Sequence, residues 1–129
     1  MNFIKGHPDF REYHTKIRTY YASLPDEQKK HILNQLKRNE IKMVITTNAL
    51  EAGVDIAELD VCLLRGYPGS RMSFWQRIGR VGRAKPGLIV FLPSQRNAMD
   101  FYFAENPTAL LSSEVMRQSN VNFMILLSP

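Results

Sequence analysis

Arg71-Met-Ser-Phe-Trp-Gln-Arg-Ile-Gly-Arg-Val-Gly-Arg83 puts two chemistries on one helical period. At 100° per residue, Arg80 and Arg83 fall within about 40° of Gln76. Phe74, Ile78 and Val81 share that spacing on the opposite side. One face can therefore pack on a core while the other presents an amide and guanidiniums. Gly79 and Gly82 let a backbone or ligand approach closely, but they also weaken a helix, so the wheel is firm only as far as Ile78. Arg77, Arg80 and Arg83 repel one another unless an anion sits among them. Their forked donors suit phosphate oxygens. A solvated basic helix is the plainer alternative, although a face meant only for water needs no glycines.

Three short apolar runs flank this stretch: Met43–Ile45, Val61–Leu64 and Leu88–Leu92. None alternates, which is the pattern of strands buried on both faces of a parallel sheet. Helical segments are expected at about 48–52, about 71–80, and from Ser94 or Gln95 to Glu105 with Met99, Phe103 and Tyr102 inward. A strand is expected at Ile17–Leu24. Pro25, Asp26 and Glu27 suit a helix entry, with Ile32, Leu33 and Leu36 buried and an end near Asn39. A short helix can begin at Pro8. The chain reads as one α/β domain.

Two further polar stretches follow strands. Thr46-Thr-Asn-Ala-Leu-Glu-Ala-Gly-Val-Asp55 leaves the Met43–Ile45 strand, and ligands of open α/β sheets bind beyond carboxyl strand ends. Thr46 and Thr47 can hold phosphate there, Gly53 permits a turn, and Asp55 can accept from a ribose hydroxyl or an arginine. A plain strand–helix connection with capping residues is the alternative. Arg65-Gly-Tyr-Pro-Gly-Ser70 is a turn by composition, and Ser70 can cap the arginine helix. All three polar stretches are expected at one edge of the sheet.

The totals set bounds. With 129 residues and 44% hydrophobic content, the chain holds one domain with a core. Seventeen Lys and Arg against twelve Asp and Glu give a formal charge of +5, which points toward an anionic partner. One cysteine, Cys62, excludes an internal disulfide and a multi-cysteine zinc site and fits a reducing, cytoplasmic compartment. His7, His14 and His31 lack metal-ligand spacing. No apolar run reaches membrane-spanning length, and no signal-peptide pattern opens the chain.

Thr47-x5-Gly53-x-Asp55 followed by Gln76-Arg-x-Gly-Arg80-x-Gly-Arg83 resembles motifs V and VI of superfamily 2 helicases. These motifs lie in the second of two RecA-like lobes. Gly66-Tyr-Pro-Gly-Ser70 and Phe101-Tyr-Phe-Ala-Glu-Asn-Pro107 look like the DEAD/DEAH-related DNA helicases of the mitomycin-repair type. Tyr20-Tyr-Ala-Ser-Leu-Pro-Asp-Glu27 is similar to the segment before motif V.

The resemblance covers residues 17–118. It implies a parallel-sheet, P-loop NTPase-like C-terminal lobe, preceded by a weakly patterned segment 1–16 and followed by a truncated apolar tail 119–129. By position, it assigns Arg80 and Arg83 as arginine fingers for a γ-phosphate and Gln76 as a contact to phosphates or the attacking water. Gly53, Asp55 and Arg77 would serve the nucleotide. Thr47 and Thr46, with Arg65, Tyr67 and Ser70, would touch single-stranded DNA, with RNA not excluded.

No Gly-x4-Gly-Lys-Ser/Thr and no Asp-Glu-x-His/Asp box occurs. ATP and Mg²⁺ therefore enter only with an N-terminal ATPase lobe, in cis or in trans, and the chain alone is expected to be inactive. The family's first strand and its cysteine-rich extension have no match either, so the lobe reads as truncated at both ends. The alternatives are a non-enzymatic nucleic-acid-binding or partner-docking module, or a decayed helicase fragment.

Overall fold

The computed structural model describes residues 8–50, 54–56, 58–94, 96–111 and 121–126. It divides into two compact units, residues 1–57 and 58–129, each with its own parallel ladder. This is the parallel α/β class expected from the non-alternating runs.

In the first unit a 3₁₀ helix, Pro8–Lys16, leads into β1 (Ile17–Tyr20), α1 (Asp26–Lys37), β2 (Met43–Thr46) and a 3₁₀ turn, Asn48–Leu50. Strand β1 runs parallel to β2, from Ile17 opposite Met43 to Tyr20 opposite Thr46. The strand stops at Tyr20 rather than Leu24, because the Leu24 N–H turns back to the Tyr21 carbonyl at 3.1 Å. Pro25 precedes α1, and Asp26 and Glu27 occupy its first turn, where the helix dipole favours acids. The helix ends where expected: Arg38 caps it and Asn39 adopts φ 62°. Asparagine tolerates that left-handed conformation better than other non-glycine residues. Tyr20, Ile32 and Ile41 form the buried centre, with Leu24, Leu33, Leu36 and Val44 packed around them.

The second unit contains β3 (Val61–Arg65), α2 (Arg71–Ile78), β4 (Gly87–Leu92), α3 (Ala98–Glu105), α4 (Pro107–Leu111) and β5 (Val121–Ile125). Its sheet order is β3-β4-β5, all parallel, with Leu64 opposite Phe91 and Phe91 opposite Ile125. Leu64, Ile89 and Phe91 pack with Phe74 and Ile78 of α2, Phe103 of α3 and Leu110 of α4. Arg71 ties α2 to α4 by donating to the Ala109 carbonyl at 2.9 Å.

Burial on both strand faces holds for β4 but not for β2 or β3. Met43 is 41% exposed, Val61 52% and Leu63 54%. Helices α2, α3 and α4 join the cluster on the Leu64–Phe91 face of the sheet. Val61 and Leu63, pointing the other way, stay open. An apolar run with no alternation specifies that both faces accept hydrophobes, not that both are covered.

The third helix also departs from expectation. It begins at Ala98, because the Asn97 side chain accepts from the Met99 and Asp100 N–H groups and caps it. Phe103 is buried as expected, but Met99 and Tyr102 are exposed and Asp100 is buried in their place. Hydrogen bonds to that carboxylate, described below, outweigh the apolar pattern.

Candidate functional site

Helix α2 leads into the arginine loop. Ser70 caps the helix, accepting from the Ser73 N–H at 3.0 Å. Phe74 and Ile78 are buried, which pins one side, while Gln76 is exposed and Arg77 half-buried. The helix ends at Gly79, so Arg80 and Arg83 ride on the following loop and the wheel does not extend to them. Gly82 takes φ 74°, a conformation that costs glycine little. Val81 turns inward and bridges Leu59, whose N–H donates to the Arg80 carbonyl at 3.0 Å. Arg80 is half-buried. Arg83 is exposed, and its Nε donates to the Gly79 carbonyl at 2.8 Å.

The arginine loop is clamped against the start of β4. A Cβ on Gly87 would run into Val81 Cγ1 and come within 2.8 Å of the Gly82 nitrogen. We expect Gly87→Ala to cost about 1–3 kcal/mol, because backbone must move to make room. Urea unfolding followed by Trp75 fluorescence checks this. A loss below about 0.5 kcal/mol would mean the contact yields freely.

The second polar stretch sits at the other end of the sheet. Arg65 ends β3 opposite Leu92, and the Gly66 N–H donates to the Leu92 carbonyl at 2.9 Å. The loop from Gly66 to Ser70 is thus at the carboxyl ends of β3 and β4, whereas the arginine loop enters the amino end of β4. The single edge expected from sequence is therefore corrected within this unit. The eight residues of α2 span about 12 Å between the two loops. Arg65 and Ser70 are exposed. Tyr67 is half-buried, with its ring 4.6 Å from that of Phe103.

Asp100 organises this edge and carried no signal in the sequence. Its carboxylate is 1% exposed and accepts from the Tyr67 N–H at 2.7 Å and the Ser94 N–H at 2.8 Å. One oxygen lies 3.1 Å from where a Cβ on Gly66 would stand. Its partners are backbone amides six and 33 residues away, so no local spacing marks it.

In the first unit Thr46 ends β2 and is exposed. Thr47, also exposed, donates to Asn48 Oδ1 at 3.4 Å. Asp55 pairs with Lys37 at 2.5 Å on an open surface. An exposed pair of this kind contributes about 1 kcal/mol at most. Gly53 lies outside the described residues.

Cys62 lies half-buried in β3, where its thiolate is disfavoured. Burial in the sheet pushes its thiol up to about 11, and nearby Arg77 only partly opposes this. Among the described residues no group of three His, Cys, Asp or Glu could hold a metal ion, and no helix is long and apolar enough to cross a membrane.

Parallel ladders with helices are the fold of RecA-like helicase C-terminal lobes. The chain belongs to the helicase conserved C-terminal domain family, whose model matches residues 3–85. It is 36% identical over 119 residues to the ATP-dependent helicase YprA of Bacillus subtilis, covering 90% of this chain and 16% of that protein. It is 31% identical over 97 residues to the ATP-dependent helicase HRQ1 of Saccharomyces cerevisiae, covering 75% of this chain and 9% of that one. Among solved structures it is similar to the DUF1998 helicase MrfA bound to DNA and AMPPNP, with a TM-score of 0.72 and 31% identity over 94% of this chain and 16% of that one. The C-terminal domain of the DEAD-box protein Dbp5 shares the fold, with a TM-score of 0.65 at 16% identity, covering 92% of this chain and 65% of that domain. The chain thus spans about a sixth of the length of its Bacillus relative. It is a helicase C-terminal domain of the ATP-dependent helicase family.

Proposed function

We propose that this lobe presents Arg80 and Arg83 to a nucleotide held by a separate ATPase lobe, and grips single-stranded DNA through Thr46, Thr47 and the Arg65–Ser70 loop. The carrying observation is the arginine loop. It is anchored on one side by buried Phe74, Ile78 and Val81, and it mounts two guanidiniums within four residues. Phosphate oxygens would match their donors, with Gln76 and Arg77 on the preceding turn as further donors; Gly53 and Asp55 are assigned to the nucleotide by the motif resemblance alone. No acidic cluster accompanies them among the described residues, so magnesium would be held by the ATPase lobe. The relatives support the reading: they are named ATP-dependent helicases, and MrfA was crystallised with DNA and a nucleotide analogue.

The division of labour follows from chemistry. Charge that builds on a transferring phosphoryl group is stabilised by guanidiniums that need not reorganise. Hydroxyls and backbone amides at strand ends hold phosphates of a nucleic-acid strand without reading its bases.

The test replaces the matching segment of the Bacillus relative with this chain. The fusion is expected to hydrolyse ATP, and this chain alone is not. A fusion no faster than the ATPase lobe by itself would sink the reading. Separately, binding of a labelled oligonucleotide to this chain is expected to weaken about tenfold or more between 50 and 200 mM salt. Binding that ignores salt would count against phosphate contacts.

A further inference from the structure

Helix α2 stops before the arginines, so something else must hold them. From Gly79 to Pro86 the chain has no regular structure apart from the bridge at Val81. The holding comes from three consecutive residues that precede β3. Glu58 Oε1 accepts from the Ala84 N–H at 2.6 Å and from the Lys85 N–H at 3.2 Å. The Leu59 N–H donates to the Arg80 carbonyl, and the Asp60 carbonyl accepts from the Leu88 N–H at 2.8 Å. The Asp60 carboxylate pairs with Lys85 Nζ at 2.6 Å.

These contacts are not equivalent. The Leu59 and Leu88 bonds are backbone to backbone, and most residues could make them. The Asp60–Lys85 pair is exposed on both sides and screened by salt. Glu58 is different because one side-chain oxygen gathers two successive amides. Such a cradle restricts the φ and ψ angles between its donors. The reach also matters, since aspartate is one methylene shorter.

We infer that Glu58 is a positioning residue for the arginine loop: its carboxylate holds the Ala84 and Lys85 amides and so sets the backbone that carries Arg80 and Arg83. The geometry stands by itself; its meaning for catalysis rests on the proposed function. The Ala84 N–H, foremost, holds the Glu58 carboxyl below the usual glutamate range. The groups around it are Lys85, which favours its charge, the Arg83 N–H, and Asp60 bonded to Lys85. A depressed pKa has a defined sign. The clamp is complete above the ordinary glutamate pKa and is lost as pH falls through the lowered value.

The experiment uses the ¹⁵N-labelled 129-residue chain and its Glu58→Ala and Glu58→Gln variants. With Glu58→Ala, amide exchange at Ala84 and Lys85 is expected to rise about tenfold, while Ile89, Val90 and the melting temperature stay put. Glu58→Gln keeps an acceptor oxygen, so it should restore part of the protection and remove its dependence on acid pH. Unchanged exchange at Ala84 and Lys85 in Glu58→Ala would overturn the inference, as would a loss spread evenly through β3 and β4.

In the fusion, Glu58→Ala is expected to lower kcat about tenfold with little change in KM for ATP, because misplaced charges fail mainly in the transition state. Turnover unchanged by Glu58→Ala but lost with the arginines would overturn the positioning role and leave the proposed function intact. If the arginine replacements change nothing, the proposed function fails, and the exchange data alone decide whether Glu58 holds the loop.

Discussion

Replacing Arg80 and Arg83 together by alanine in the fusion is expected to reduce ATP turnover by a factor of about 10³. That factor corresponds to about 4 kcal/mol of transition-state stabilisation. The size follows from where the charges act. A guanidinium beside a departing phosphoryl group gains most when negative charge has built up, so kcat should carry the loss and KM should move little. The Arg83 bond to Gly79 uses Nε and so leaves the Nη groups for a second partner. Lysine at either position keeps the charge but loses the planar fork, and it should recover only a small part of the rate. Turnover within about threefold of the unsubstituted fusion would remove the arginine-finger assignment, since that is under 1 kcal/mol.

Asp100→Ala should destabilise the second unit by about 2–4 kcal/mol. The carboxylate is buried and accepts two backbone amides from two different loops. It also lies in the first turn of α3, where the helix dipole favours a negative group. Alanine leaves the Tyr67 and Ser94 N–H groups facing a void, with neither water nor protein to accept them. Asp100→Asn should be almost as costly, because its amide oxygen can satisfy one donor while its NH₂ meets the other. Trp75, the only tryptophan, packs edge-on against Phe74 in this unit's core and reports its unfolding. A shift in urea midpoint worth less than about 1 kcal/mol would show that the loops bear the loss locally. The folded variant should also show looser packing between Tyr67 and Phe103, because Asp100 joins the Gly66–Ser70 loop to the strand end beside it.

The legible parts of this fold were local. Proline, Asp26 and Glu27 mark the start of α1, and Asn39 marks its end, because caps and dipoles act within one turn. Ser70 announces α2, and Gly79 ends it three residues before its neighbour Gly82 turns the loop. Three apolar runs mark three parallel strands. The arginines themselves stand out through their spacing. Reading a helix from Ser94 failed for an equally local reason: Asn97 competes better for the cap, with two amides to accept.

Other features depend on residues that are far apart in the chain. Asp100 answers amides at Tyr67 and Ser94, and Glu58 answers amides at Ala84 and Lys85. Backbone donors are chemically identical at every position, so no residue type advertises them. Which face of β3 stays open is likewise decided by where three helices pack, not by the strand's own composition.

The parallel α/β class, both ends of α1, the start of α2 and the family were legible from residue order alone, because periodicity, capping and motif spacing are written in neighbouring residues. Packing, by contrast, puts the arginines on a loop, sets this loop and the Gly66–Ser70 turn at opposite ends of one helix, and brings two carboxylates to hold these segments. Those outcomes come from hydrogen bonds closed between distant parts of the chain, and such bonds exist only once the packing has brought donor and acceptor together.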